Sequence, residues 1–230
     1  MSGPAGSGAR VADPVTDRPL IAVIDYGIGN LHSAQKSLER VGADARLTRD
    51  PGLIADAAGV VLPGVGAFGA AMAALRAHGL EDLTVDAAGS GRPFLGICIG
   101  MQMLCAASEE DPGVAGLGVF DVEIVRIRRT DGRDEHLKLP QMQWNQLRVR
   151  EPGHPVLAGL DDGAWMYFVH SFAAVDGPDV VATCDYGGEV VAALGRGPVA
   201  ALQFHPEKSS TAGLDLLTNF LEMCRSRERV

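Results

Sequence analysis

Cys98 stands in the stretch FLGICIGMQML, between Gly96 and Gly100. This G-x-C-x-G pattern is the thiol counterpart of the G-x-S-x-G nucleophile elbow. An elbow of this kind is a tight strand-to-helix turn. It holds its nucleophile in a strained backbone, small neighbours permit close approach, and the helix N-terminus favours the thiolate. The N–H of Ile99, next in the chain, would then face a developing oxyanion. Such a thiolate needs a base, and the base needs an orienter. The stretch VAALQFHPEKSS offers both, with His205 closing an apolar run and Glu207 two residues later. Pro206 is expected to keep the backbone extended, so period-2 geometry points the two side chains to one side, where the carboxylate would fix the imidazole tautomer. The alternative for a cysteine is a small buried hydrophobe, and it suits Cys105, Cys184 and Cys224. For Cys98 it would leave the two glycines and the strand-helix junction without a cause.

A second glycine cluster competes for attention. LPGVGAFG places Gly64, Gly66 and Gly69 in a G-x-G-x-x-G between an apolar run and an Ala-rich segment, the order a dinucleotide site requires. Such a site also wants an acidic residue about 20 positions on, at the end of the next strand. Here that count falls in AAGSGR, and the next strand runs into Gly96-Ile97-Cys98; the other glycine pair, in DYGIGNLH, has no third member. Both loops therefore fail as dinucleotide sites. Four of the six histidines, His32, His78, His136 and His154, lie in polar or turn contexts and are expected to be solvated. His170, in YFVHSF, is open to either a core position or a site role. Neither a paired-histidine spacing nor C-x-x-C occurs, so no metal and no disulfide framework is expected, and a reducing cytoplasm is the expected setting.

The elements that must position these residues follow from the pattern around them. LIAVID is a short β-branched run. After it NLHSAQKSLERVG puts Leu31, Ala34, Leu38 and Val41 on one helical face, with Asn30 as the cap and Gly42 as the stop. Strand and helix patterns continue to alternate through GVVLP, FGAAMAALRAHG, RPFLGI and CIGMQMLCAAS, predicting a parallel sheet covered on both faces. Beyond about residue 113 the texture becomes successive strands with Gly, Pro and Asp turns, which predicts an antiparallel section. A last helix over SSTAGLDLLTNFLEMCRSRER carries Leu214, Leu217, Leu221 and Cys224 on one stripe. The 230 residues read as a disordered leader, 1–18, and one domain, 19–230. No run is long enough to span a membrane, and a net charge of −9 argues against a broad grip on nucleic acid or anionic lipid.

Cys98 in GICIGMQ with FHPEKS at 204–209 resembles the Cys-His-Glu site of the class I glutamine amidotransferases. Within them the chain is most similar to the glutaminase subunits of imidazole glycerol phosphate synthase. That resemblance also rests on DYGIGNLHSAQKSLERVGA, LPGVGAFGAAM, GLGVF and YFVHSF, in this order. It implies a three-layer, flavodoxin-like α/β fold of mostly parallel sheet, with glutamine as substrate and no cofactor. In it Cys98 is the nucleophile, His205 the base and Glu207 the orienter. Gly64, Val65 and Gly66 would supply a backbone N–H to the oxyanion hole beside Ile99. Gln102, His170 and Ser171 would bind glutamine, although without the resemblance Gln102 reads as a solvated helix residue. The implied partner is a (β/α)8 barrel cyclase that takes up the ammonia, met by Asn30, Trp144, Asn145 and Lys208; Lys208 reads equally as an ordinary surface lysine.

One segment departs from the family pattern. Where Pro-His-Met-Gly-Trp-Asn is usual, the chain reads PQMQWN, with Gln141 for His and Gln143 for Gly. The change lies beside the partner-facing residues and leaves other acceptors open: a paralogous glutaminase serving a different synthase, or a free-standing hydrolase of γ-glutamyl peptides.

Overall fold

The computed structural model describes residues 18–131 and 137–228; residues 1–17 of the expected leader and His136, in the charged stretch RRTDGRDEH, lie outside the described residues. The first half alternates as its pattern predicts, except that a helix the sequence reading did not assign, α4, follows α3 before the next strand: β1 (Leu20–Ile24), α1 (Leu31–Arg40), β2 (Asp44–Thr48), α2 (Pro51–Asp56), β3 (Gly59–Gly64), α3 (Phe68–Ala77), α4 (Glu81–Gly89), β4 (Phe94–Cys98) and α5 (Ile99–Leu104). Leu31, Ala34 and Leu38 of α1 are buried. Asn30 does sit at the cap position, but its side chain accepts from the Ser33 hydroxyl at 2.8 Å and not from a backbone N–H. The second half is mostly strand: β5 (Cys105–Ser108), β6 (Phe120–Arg126), β7 (Gln141–Gln146), β8 (Arg148–Val149), β9 (Trp165–His170), β10 (Phe172–Ala174), β11 (Val180–Asp185), β12 (Glu189–Arg196) and β13 (Val199–Leu202), closed by α6 (Ser210–Glu228).

The main sheet runs β2-β1-β3-β4-β13-β12-β11-β8. Its first five strands are parallel and the last three antiparallel, as the change of texture after residue 113 predicts. Two smaller sheets, β10-β6-β5 and β7-β9, stand beside it. The topology matters at one place above all. β13, from the far end of the sequence, inserts beside β4 in parallel register, with Leu202 opposite Ile97. The chain beyond Leu202 and the chain beyond Ile97 therefore leave the sheet as neighbours, at the carboxyl ends where open α/β sheets collect functional groups.

Two expectations need correction. CIGMQMLCAAS is not one helix, because α5 stops at Leu104 and Cys105–Ser108 forms β5. Residues 116–118 fold back on the junction: Leu117 N–H donates to the Met103 carbonyl at 2.8 Å and Gly118 N–H to the Cys105 carbonyl at 3.2 Å, taking helix-end acceptors that a further turn would have used. The run AWMYFVHSFAAV is likewise two strands. β9 pairs with β7 and β10 with β6, so the chain changes sheet at Ser171 and leaves His170 and Phe172 on either side of the step.

Candidate active site

Cys98 is the last residue of β4 and the residue before α5, with φ 54° and ψ −110°. A non-glycine residue at positive φ stores about 1–3 kcal/mol and persists only where its surroundings over-determine it. Here the surroundings do so by close approach. A Cβ on Gly100 would stand 1.8 Å from the Leu62 carbonyl oxygen, and one on Gly96 2.8 Å from Leu104, so both glycines let the first turn of α5 lie against β3 and β4. Cys98 itself is 5% exposed.

His205 arrives from the neighbouring strand. Its N–H donates to the Tyr167 carbonyl at 2.9 Å, and its carbonyl accepts from the Ser209 hydroxyl at 2.6 Å. The extended geometry expected after it is not what forms. Pro206–Lys208 is a turn of 3-10 helix, with Lys208 N–H donating back to the His205 carbonyl at 3.0 Å and proline at the first helical position, where its missing N–H has no intrahelical acceptor to lose. Across that turn His205 Nδ1 meets Glu207 Oε1 at 2.8 Å, with the two side chains 1% and 5% exposed. Nδ1 thus carries the hydrogen, and Nε2, which has no partner of full hydrogen-bond geometry, is left for the sulfur. Burial opposes charge on this ring. Its interactions with Cys98 and with Glu207 outweigh burial and raise its pKa to about 9.

Facing the elbow is the turn after β3. Val65 and Gly66 line the same cavity as Cys98 and Ile99. Gly64 packs beneath them so tightly that a Cβ there would stand 2.2 Å from the Tyr26 hydroxyl and 3.2 Å from Ile99 Cβ. Tyr26 is fully buried and its hydroxyl has no hydrogen-bond partner. Burial first, and the charge of Cys98 second, push its ionisation up. The G-x-G-x-x-G loop does lead from strand to helix, but the N-terminus of α3 is already taken. Phe68 N–H donates to Glu110 Oε2 at 2.8 Å and Gly69 N–H to Asp111 Oδ2 at 2.7 Å. The helix end that a pyrophosphate would need holds two of the protein's own carboxylates.

The cavity between these walls has a volume of about 270 Å³ and is lined by Cys98, Gln102, His170, Ser171 and His205 among others. Gln102 is 2% exposed and so not the solvated residue its helix position suggested. Its Nε2 donates to the Phe172 carbonyl at 3.2 Å and to Gln203 Oε1 at 3.0 Å, while its Oε1 has no partner. His170 pairs Nδ1 with the same Phe172 carbonyl at 2.8 Å, leaving buried Nε2 an unpaired acceptor. Burial, and then the nearby His205, lower its pKa to about 4 in spite of that hydrogen bond, so it is neutral at pH 7. Sequence reasoning missed Gln203, Tyr26 and Glu110. For Gln203 a signal exists, a lone amide in an otherwise apolar strand end; for Tyr26 and Glu110 none does.

The residues expected at a partner face divide. Asn30 and Lys208 are exposed. Trp144 is 44% exposed, edge-on to Tyr167 at 6.1 Å, and shares the face of the β7–β9 ribbon with Met142 and Trp165, 63% and 53% exposed. Asn145 is committed internally, donating from Nδ2 to the Asp185 carbonyl at 2.8 Å. Of the two unusual glutamines, Gln143 is exposed, but Gln141 is fully buried with its Nε2 3.8 Å from Cys184 Sγ, so that change belongs to the packing under the ribbon. All four cysteines are buried and none is in a disulfide among the described residues, with burial pushing Cys105 up to about 12 and Cys184 to about 11. Among the described residues no group of three or more His, Cys, Asp or Glu could hold a metal, and no helix is long and apolar enough to cross a membrane.

The family model described as glutamine amidotransferase class-I matches residues 22–224. The imidazole glycerol phosphate synthase subunit HisH of Synechococcus sp. strain JA-3-3Ab is 47% identical over 210 residues, covering 90% of this chain and 95% of that protein. The protein of the same name from Methanothermobacter thermautotrophicus is 46% identical over 208 residues, covering 90% and 100%. Among solved structures, a chain of PurLQS from Thermotoga maritima superposes with a TM-score of 0.69 over 89% of this chain and 98% of its own, at 22% identity, a likeness of fold. On a family match that spans nearly the whole described chain, and on relatives near half identity, this chain belongs to the class-I glutamine amidotransferase family.

Proposed function

We propose that the chain is the glutaminase subunit of an imidazole glycerol phosphate synthase. It hydrolyses glutamine to glutamate and ammonia and passes the ammonia to a (β/α)8 barrel cyclase subunit in a heterodimer serving histidine biosynthesis. The observation that carries this reading is the strained Cys98 elbow beside a buried His205–Glu207 pair, at the ends of adjacent strands of a chain 47% identical to a HisH subunit. The catalytic domain is the single unit from residue 19 onward, and four cysteines outside any disulfide suit a reducing cytoplasm.

The chemistry follows from the geometry. His205 Nε2 takes the thiol proton of Cys98, and the resulting imidazolium, whose Nδ1–H is held by Glu207, keeps that proton below about pH 9. The sulfur attacks the side-chain carboxamide carbon of glutamine, and charge develops on the carboxamide oxygen between the Ile99 N–H and the Gly64-Val65-Gly66 turn. The C–N bond breaks as His205 Nε2 gives its proton to the departing nitrogen, leaving a thioester, ammonia and neutral imidazole. That imidazole takes a proton from water as the water attacks the thioester, and glutamate leaves as the thiolate–imidazolium pair is restored. Gln102 Oε1 and His170 Nε2, both buried acceptors without partners, suit the α-ammonium group of glutamine, with Ser171 on the same wall. A neutral His170 adds no positive charge to repel that ammonium. Met142, Trp144 and Trp165 suit an aromatic-anchored interface, with Asn30 and Lys208 at its edge and Asn145 fixing the ribbon from behind. Replacing Cys98 by Ala removes the nucleophile, so glutamate release by the complex is expected to vanish; retained hydrolysis would overturn the assignment.

A further inference from the structure

We propose that Gln203 is a further catalytic residue of this site, the hydrogen-bond donor to the Cys98 sulfur, held in donor orientation by a polar chain that begins at the Phe172 carbonyl. The inference rests on the reading of Cys98 as nucleophile. An amide can be turned either way, and here its direction is set by a group that cannot be turned. The Phe172 carbonyl only accepts, so Gln102 must present Nε2 to it at 3.2 Å. The other hydrogen on that nitrogen goes to Gln203 at 3.0 Å, which must therefore present Oε1. Gln203 Nε2 is thereby turned toward Cys98 Sγ, 4.0 Å away. His170 Nδ1, on the same carbonyl at 2.8 Å, reinforces the anchor.

Gln203 is fully buried, and a buried amide without partners is costly. Its oxygen is satisfied by Gln102; its nitrogen finds the sulfur. A neutral thiol is a weak acceptor, whereas a thiolate is a charged one, so the donor favours the charged nucleophile. The chain also joins the nucleophile to Gln102, whose free Oε1 faces substrate in the proposed reaction, so one array of hydrogen bonds aligns both. The titratable groups around the sulfur are His205 with Glu207 behind it, Tyr26 beside Gly64, and His170 and Glu110 on the cavity wall. Gln203→Met leaves all of them in place and adds none.

The test is the pH dependence of Cys98 alkylation by iodoacetamide, followed by mass spectrometry in the full chain, with glutaminase kinetics measured alongside in the complete complex. Gln203→Met removes donor and acceptor together and adds no charge, so it carries the decisive comparison; Gln203→Glu keeps the acceptor for Gln102 and removes the donor but sets a carboxylate beside the sulfur, so its shift is expected to be the larger of the two. For both variants the alkylation profile is expected to move to higher pH, with a rate at pH 7 lower by on the order of tenfold. Gln203→Glu should lose kcat while holding KM near the wild-type value. A residue that only props Gln102 would raise KM in Gln203→Met and leave alkylation of Cys98 unmoved, and superimposable profiles in both variants would overturn the proposal. Should either variant not fold, the wild-type protein answers: the side-chain amide nitrogen signal of Gln203 must titrate together with Cys98 and stay flat in Cys98→Ala, and a flat signal in the wild type counts against it. If Cys98→Ala itself still hydrolyses glutamine, the nucleophile reading falls and this inference with it. If that variant is inactive but the Gln203 profiles match wild type, only the Gln203 role falls.

Discussion

At the scale of residues, the proposed nucleophile Cys98 sits where the backbone stores strain. A side chain at φ 54° is strained, and glycine would relieve that strain. Cys98→Gly is therefore expected to be inactive yet more resistant to urea, by about 1 kcal/mol net of the lost sulfur packing; a lower unfolding midpoint would show that the turn is not under strain. The pH profile reports His205. Its pKa is raised above the ordinary 6.5, so the proton that must reach ammonia is in place below about pH 9 and is lost above it. The same sign governs stability: the contribution of the charged ring is complete below 6.5 and disappears as pH rises through about 9. Glutaminase activity should accordingly fall on the alkaline side near pH 9. Glu207→Gln should bring that limb to lower pH and reduce kcat by up to about 10⁴-fold, the loss found when a triad carboxylate is neutralised. A limb that stays in place in Glu207→Gln would mean that the carboxylate does not act through His205.

At the scale of elements, the junctions carry the design. Gly100→Ala would push a methyl into the Leu62 carbonyl, 1.8 Å away, and backbone cannot swing aside as a side chain can. A loss of about 3 kcal/mol or more is expected in urea unfolding, with activity falling as Ile99 is displaced; a variant of wild-type stability would contradict the close packing of α5 on β3. The sequence made this junction legible because the pattern is local: two glycines, a cysteine, and a strand turning into a helix within five residues. The alternation of β1 to β4 was legible for the same reason. What it hid is non-local. That α5 ends at Leu104 depends on residues 116–118 capping it, and that AWMYFVHSFAAV breaks at Ser171 depends on two different partner strands. The His205–Glu207 spacing was readable, but the contact is made through a 3-10 turn and not an extended strand, because Ser209 and Lys208 fold back on the His205 carbonyl. Gln203 escaped because its one local sign, a lone amide at an apolar strand end, acquires a role only when its spatial neighbours are known.

At the scale of the whole molecule, the insertion of β13 beside β4 brings residues more than a hundred positions apart into one site, and the β7–β9 ribbon sets an exposed aromatic face next to it. Trp144 and Trp165 are about half exposed, and aromatic anchors of this kind dominate interfaces. Trp144→Ala is expected to weaken binding to the cyclase by about 2 kcal/mol, roughly 30-fold in Kd, with the basal glutaminase rate of the isolated chain unchanged. Unchanged affinity by calorimetry would move the interface elsewhere. Whether the Cys98 site is a glutaminase working for a barrel cyclase is decided by glutamate release from glutamine. It is measured with the purified chain alone and again with the cyclase and its ribonucleotide substrate. Release is expected to rise sharply only in the complete mixture and to be absent with Cys98→Ala. Equal turnover with and without the cyclase, or turnover that survives the loss of Cys98, would contradict that assignment.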